Sequence, residues 1–256
     1  MIDTVATLRA AGCVFAEEEA RLLHEAAPDP AGLAALVARR CAGEPLEQVV
    51  GWAEFAGRRV AVAPGVFVPR LRSVALVRLG ATLARGGPVV DLCCGTGAIG
   101  LAIHAAAGGP LYAADISAAA VRVARRNLAP VGGHVLLGDL YAPLPPHLRG
   151  RVHLITANVP YVPSAEVELM PAEARLHEPR GALDGGPDGL DLVRRVARDA
   201  RRWLAPGGHL LVEASARQAA RAARIFAAAG LRPHVTRFDE WDAWVISGRA
   251  AGTLAG

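Results

Sequence analysis

The residues with the clearest capacity for chemistry are three carboxylates that each close an apolar run: Asp91 in VVDLCCGTGAIG, Asp115 in LYAAD and Asp139 in LLGDLY. The first stands before a small-residue turn, Cys93-Cys94-Gly95-Thr96-Gly97, that leads into a helix start. Glycines let the backbone pass close to a ligand, and a helix N-terminus offers unpaired N–H groups. The spacing is not the GxGxxG of a dinucleotide turn, and an acid ahead of the turn would repel a pyrophosphate. Such an acid can instead hold the amino group of an amino-acid-like cofactor. Asp115, about 20 residues beyond the turn, is placed to accept both ribose hydroxyls, with Ile116 beside it. Asp139 is placed to meet an adenine amino group, with Leu140 over the ring. Any one Asp is equally well a helix cap or turn residue. Three in order behind a glycine turn point to one crevice at the strand ends, where open α/β sheets bind ligands.

The elements needed to position these groups are legible in the apolar rhythm. From Val89 onward β-type runs alternate with helical segments: VVDLC, AIGLAIHAAA, LYAAD, SAAAVRVARRNL and HVLLGD. VHLITANV, a helix from about Leu190 to Leu204, HLLVEA, the helix RQAARAARIFAAAG and the runs RPHVTRF and WDAWVISGR continue the series. This βα alternation predicts a Rossmann-like α/β fold with a mostly parallel, seven-stranded sheet. The last two runs are separated only by a turn, so one of them is expected to run antiparallel at the end of the sheet. Residues 1–44 carry helical periodicity, broken by Gly12 and by PDP at 28–30, and read as a small helical region. Residues 45–70 alternate around a turn centred on Gly57, which predicts a linking hairpin, and 71–256 form the main domain.

Composition narrows the function classes. The chain has 256 residues, 52% of them hydrophobic, enough for one α/β domain with a small appendage. No apolar run approaches the roughly 18 residues of a membrane span. The N-terminal MIDTVATLRAAGCVF has no basic head, apolar core and cleavage site, so a cytoplasmic protein is expected. All 28 basic residues are Arg, dispersed along the chain, and the net charge is only +4, so nucleic acid is not an expected partner. The cysteines at 13, 41, 93 and 94 form no CxxC pair, and the eight His lack ligand spacing, so no metal site is expected. Cys93 and Cys94 are adjacent, which disfavours a disulfide, and read as small residues lining the cofactor turn.

Asn158-Val159-Pro160-Tyr161, at the end of the fourth strand of the main domain, resembles the Asn-Pro-Pro-Tyr motif of methyltransferases that act on planar nitrogens. EPRGALDGGPDGLDL (178–192) and LEQVVGWAEFAGRRVAVAPGVFVPR (46–70) resemble segments of the HemK/PrmC-type protein-glutamine methyltransferases, which modify the Gln of a GGQ motif in peptide release factors. With the GTG at 95–97 and the closing VISGR, the resemblance covers roughly 44–249. It implies a class I methyltransferase domain, S-adenosylmethionine as cofactor and the N-terminal helices as a substrate-docking region. It also implies that Asn158, Pro160 and Tyr161 act in catalysis, and that Val159, Arg70 and Glu178 join them in holding the acceptor. Asn158 also borders the cofactor.

The chemistry accounts for the motif. An amide nitrogen is a poor nucleophile because its lone pair is delocalised, so it must be held close to the methyl donor while it rehybridises. The Asn side-chain oxygen and the carbonyl of residue 159 can accept its two N–H groups. A Pro stiffens the turn and Tyr161 can pack on the acceptor plane. The chain departs from the family at Val159, where Pro is usual, and at Leu71-Arg72-Ser73-Val74, where Pro, a variable residue, Thr and Glu are usual. Two further readings stay open: an N-methyltransferase of a small molecule, peptide natural product or nucleobase, and a non-catalytic S-adenosylmethionine-binding protein.

Overall fold

A computed structural model of the chain describes residues 3–252. Four short helices come first: α1 (Thr4–Ala10), α2 (Ala16–Ala26), α3 (Pro30–Cys41) and α4 (Leu46–Val50). The start of α3 shows why the chain turns there. The Asp29 side chain accepts from the Gly32 N–H at 2.7 Å, and Pro30 occupies the first helical position, where no N–H is needed. Leu8, Ala20, Leu23, Val37 and Val49 interlock into a small apolar core of their own. A hairpin follows, β1 (Trp52–Phe55) and β2 (Arg58–Ala61), turning through Ala56 and Gly57. Both turn residues have positive φ, 48° and 73°, a conformation matched to the twist of a two-residue hairpin.

The main sheet contains β3 (Val89–Leu92), β4 (Leu111–Asp115), β5 (His134–Leu137), β6 (Val152–Ala157), β7 (Leu204–Ala214), β8 (Arg232–Phe238) and β9 (Ala243–Arg249). Their order is β5-β4-β3-β6-β7-β9-β8. The antiparallel strand is β9, the last in the chain, which lies between β7 and β8, one place in from the edge. Helices α5 (Val74–Ala84), α6 (Ala98–Ala107) and α7 (Ala118–Leu128) cover one face. Helices α9 (Asp191–Ala200) and α10 (Ala216–Ala228) cover the other. Neighbouring residues of one strand feed opposite cores: Ile155 and Ala157 pack on the α9/α10 side, while Leu154 packs with α5 and α6. A strand buried on both faces reads as a continuous apolar run, which is how β3 and β6 appear in the sequence.

Two elements differ from the sequence reading. The helix expected to reach Leu204 stops at Ala200, because Trp203 turns in to stack on Tyr141 and Leu204 already pairs with Val152 in β7. Helix α5 was not read from the sequence, although its residues 75–77 are buried. A short helix α8 (Ala172–His177) lies in the long connection between β6 and α9.

The chain runs outward from β3 to β4 and β5, then returns to β6 on the other side of β3. That reversal parts the connections on either side and leaves a crevice at the carboxyl ends of the strands.

Candidate active site

A cavity of about 660 Å³ occupies this crevice. Cys93, Asp115, Asp139 and Asn158, each at or just past the end of a successive strand of the parallel half, contribute to its wall. The turn after β3 is shaped by backbone conformation: Cys93, Gly95 and Gly97 all have positive φ, 53°, 55° and 77°. A Cβ on Gly95 would meet nothing within 4 Å, so the backbone there is open to a ligand. Gly97 does not line the cavity. It is the N-cap of α6 and faces Leu128. Asp115 braces the same turn. One carboxylate oxygen accepts from the Gly95 N–H and the other from the Ser117 N–H, both at 2.8 Å. Each oxygen keeps a second lone pair for a ribose hydroxyl.

Ile116, apolar yet 73% exposed, Leu140 and Ala98 offer apolar surface along the same wall. Asp139 is joined to Arg195 at 2.5 Å through one oxygen. The other oxygen makes no hydrogen bond to the described residues and can meet an exocyclic amine. These groups fit an adenosine bearing a short amino-acid arm. Burial pushes the thiols of both Cys93 and Cys94 well up, so neither supplies a thiolate at neutral pH.

Besides Gly97, two acids expected to touch ligands lie behind the wall instead. Asp91 is 1% exposed, with one oxygen accepting from the Thr156 hydroxyl at 2.9 Å and the other from the Gly100 N–H at 3.0 Å. It ties α6 to β6 beneath the turn and does not face the cavity. Glu178 is likewise buried, accepting from the Val68 N–H at 3.1 Å and pairing with Arg70 at 2.7 Å. Its position is that of an anchor for Arg70, which does line the cavity. In both cases the backbone and side-chain donors that satisfy the acid are brought there by other segments.

The acceptor end is built around Asn158, Val159, Pro160 and Tyr161, all in the cavity wall. Asn158 Nδ2 donates to the Ser73 hydroxyl at 3.1 Å, and that hydroxyl donates to Glu213 at 2.7 Å. Glu213 also accepts from the Tyr161 hydroxyl at 3.2 Å and meets Arg72 Nε at 2.7 Å, a contact off the hydrogen-bond direction. Burial and the neighbouring Glu213 push the Tyr161 phenol up, so it serves as a hydrogen-bond donor and not as a base. Gln218 closes the arrangement from behind. Its amide nitrogen donates to the Tyr161 carbonyl at 2.8 Å, while its oxygen completes a capping box with Ser215 at the start of α10.

Not all of these supports are visible to motif reading. Glu213 and Gln218, after the fifth strand of the main domain, match the pattern of the resembling family, and either also reads as a helix cap, whereas Ser73 appears in the sequence only as part of a departure from that pattern. Asn127 bonds both to Ala61 of the hairpin and to the Thr96 carbonyl, joining β2 to the cofactor turn, and carries no sequence signal of that role. Among the described residues no group of three or more His, Cys, Asp or Glu is placed to hold a metal ion. No helix among them is long and apolar enough to cross a membrane.

The methyltransferase small domain family matches residues 58–187. A release factor glutamine methyltransferase of Mycolicibacterium smegmatis is 40% identical over 216 residues, covering 82% of this chain and 76% of that protein. The chain belongs to the release factor glutamine methyltransferase family. It is an S-adenosylmethionine-dependent methyltransferase, and the turn, Asp115 and the apolar wall described above are the groups suited to hold that cofactor. The chain is similar also to a 4-amino-L-phenylalanine/4-methylamino-L-phenylalanine methyltransferase of Streptomyces pristinaespiralis. That enzyme is 40% identical to this chain over 221 residues, 82% of this chain and 75% of its own. The fold is shared with a methyltransferase from Pyrococcus furiosus, with a TM-score of 0.57 at 14% identity, covering 75% of this chain and 88% of that one.

Proposed function

We propose that the protein methylates the side-chain amide nitrogen of a protein glutamine, of the kind found in the GGQ motif of a peptide chain release factor. The observation that carries this reading is the state of Asn158. With Nδ2 committed to Ser73, its Oδ1 has no partner among the described residues, yet it is not a buried orphan and stands in the cavity wall. An acceptor oxygen so placed suits a nitrogen that still carries hydrogen. Asn158 Oδ1 would take one N–H of the glutamine amide and the Val159 carbonyl the other, turning the nitrogen's lone-pair axis toward the methyl donor. Pro160 would hold the turn and the Tyr161 ring would lie along the amide plane. Bound S-adenosylmethionine would supply the methyl from a sulfonium sulfur that would keep the electron pair of the broken bond, and the nitrogen held by Asn158 and Val159 would take the methyl and release a proton to water.

Relatives named for release factors support the protein acceptor. So does the helical region, where Val14 and Phe15 stand exposed at 83% and 69% and could meet a protein surface. In this reading residues 1–44 are the docking region, 45–70 the link and 71–256 the catalytic domain, working in the cytoplasm. The test is transfer from labelled S-adenosylmethionine to a purified release factor, followed by mass spectrometry of the GGQ peptide. One added methyl on that Gln is expected, and cofactor binding without transfer would overturn the acceptor.

A second reading is favoured by the amino-acid-directed relative and by Arg72, a cation at the cavity wall able to meet a carboxylate. It makes the acceptor a small aromatic amine such as 4-amino-L-phenylalanine. Faster turnover of that compound than of the release factor would establish it in place of the first.

A further inference from the structure

We infer that Ser73 and Glu213 are positioning residues that decide which atom of the Asn158 amide faces the acceptor. This rests on the reading that Asn158 receives an acceptor N–H. The donor count carries the argument. Glu213 is 1% exposed, ion-paired with Arg72, and approached by the Tyr161 hydroxyl on one oxygen, so it acts only as an acceptor. The Ser73 hydroxyl, 1% exposed, has a single hydrogen and gives it to the other Glu213 oxygen at 2.7 Å. Its remaining capacity toward Asn158 is therefore as an acceptor. The Asn158 atom 3.1 Å away must be the amide nitrogen, and the oxygen must face the cavity.

An amide free to turn over would also present Nδ2 to the acceptor. It would then set donor against donor and leave the substrate nitrogen unheld. The relay removes that alternative through the Asn158 amide, with Ser73 at the cavity wall and Glu213 behind it. Its elements are far apart in sequence: Ser73 precedes α5, Asn158 follows β6 and Glu213 lies near the end of β7. Arg72, the residue next to Ser73, lies against the same Glu213 carboxylate at 2.7 Å.

The test compares two isosteric replacements. Ser73→Thr keeps the hydroxyl and Ser73→Val does not, while both add the same bulk. With release factor as acceptor, Ser73→Thr should retain kcat and Ser73→Val should lose about 10- to 100-fold, the scale expected of a misoriented reacting group. KM and the dissociation constant for S-adenosylmethionine should remain near wild type in both. Ser73→Ala offers the same loss without added volume if the larger side chains do not fold. Equal kcat in the Thr and Val variants, or a loss shared equally with cofactor affinity, overturns the relay.

A readout independent of the acceptor separates this inference from the functional reading. The side-chain amide signals of Asn158, identified by their disappearance in Asn158→Asp, should show slowed hydrogen exchange in the wild type and Ser73→Thr and fast exchange in Ser73→Val. Unchanged exchange in Ser73→Val overturns the relay whatever substrate is used. Slowed exchange in the wild type without methylation of the release factor overturns only the acceptor.

Discussion

At the scale of single residues the site separates acids that face a ligand from acids that hold the wall. Asp115 does both, bracing Gly95 and Ser117 while lining the cavity. In the proposed reading Asp115 accepts from the ribose hydroxyls, charge-assisted bonds worth about 1.5–3 kcal/mol, so Asp115→Ala should weaken S-adenosylmethionine binding about tenfold to a hundredfold by calorimetry. Asp91 behaves differently. Burial pushes its carboxyl up from 3.8 to about 7, against the opposing pull of the Thr156 hydroxyl and the Gly100 N–H. The folded state therefore binds a proton more tightly than the unfolded one. The stability this contributes is complete below about pH 4 and is lost as pH rises toward 7. Denaturant melts across that range should show the wild type losing stability relative to Asp91→Asn as pH increases. A constant difference would place the Asp91 titration elsewhere.

At the scale of elements, the acceptor turn after β6 is held by α10 and by the connection that precedes α9. Gly189 sits between them with φ +72°, and an added Cβ would collide with the Tyr161 carbonyl and with the Gln218 amide nitrogen. Gly189→Ala should therefore cost at least about 1–2 kcal/mol from the left-handed backbone alone. It should also break the Gln218 bonds to Tyr161 and Asp188. The expected outcome is a lower melting temperature together with reduced turnover, whereas Gly181→Ala, whose added Cβ meets nothing within 4 Å, should change little. An equal response of the two glycines would show that the turn is not held from this side.

At the scale of the whole molecule, the helical region and the sheet domain are joined by a few polar ties. Arg40 makes one of them, to Glu173 of α8 at 3.4 Å, while within the helical region it bonds to Glu19 at 2.6 Å and to the Glu44 carbonyl at 2.9 Å. Its side chain is 12% exposed and that of Glu19 10%, so loss of the cation leaves a nearly buried carboxylate unpaired. Breaking such a pair typically costs about 3–5 kcal/mol. Arg40→Met should accelerate proteolysis within residues 3–43 while leaving cofactor affinity near wild type. Protection equal to the wild type would show that apolar packing alone secures the helices.

The sheet and its strand-end turn were legible because they follow from local rules. Apolar runs buried on two faces, the glycine turn and the spacing to Asp115 each leave a mark within a short window. The motif at Asn158 was legible by resemblance, and the hairpin by its alternation about Gly57. What the sequence could not state was direction. Asp91 and Asp115 read alike as acids closing an apolar run, yet one is buried by Gly100 and Thr156 and the other opens to the cavity. Glu178 reads as a contact residue, yet Val68 and Arg70 claim it. Donor and acceptor pairing is settled between segments that only the sheet order brings together, so Ser73, Asn158 and Glu213 became one unit only in the folded chain.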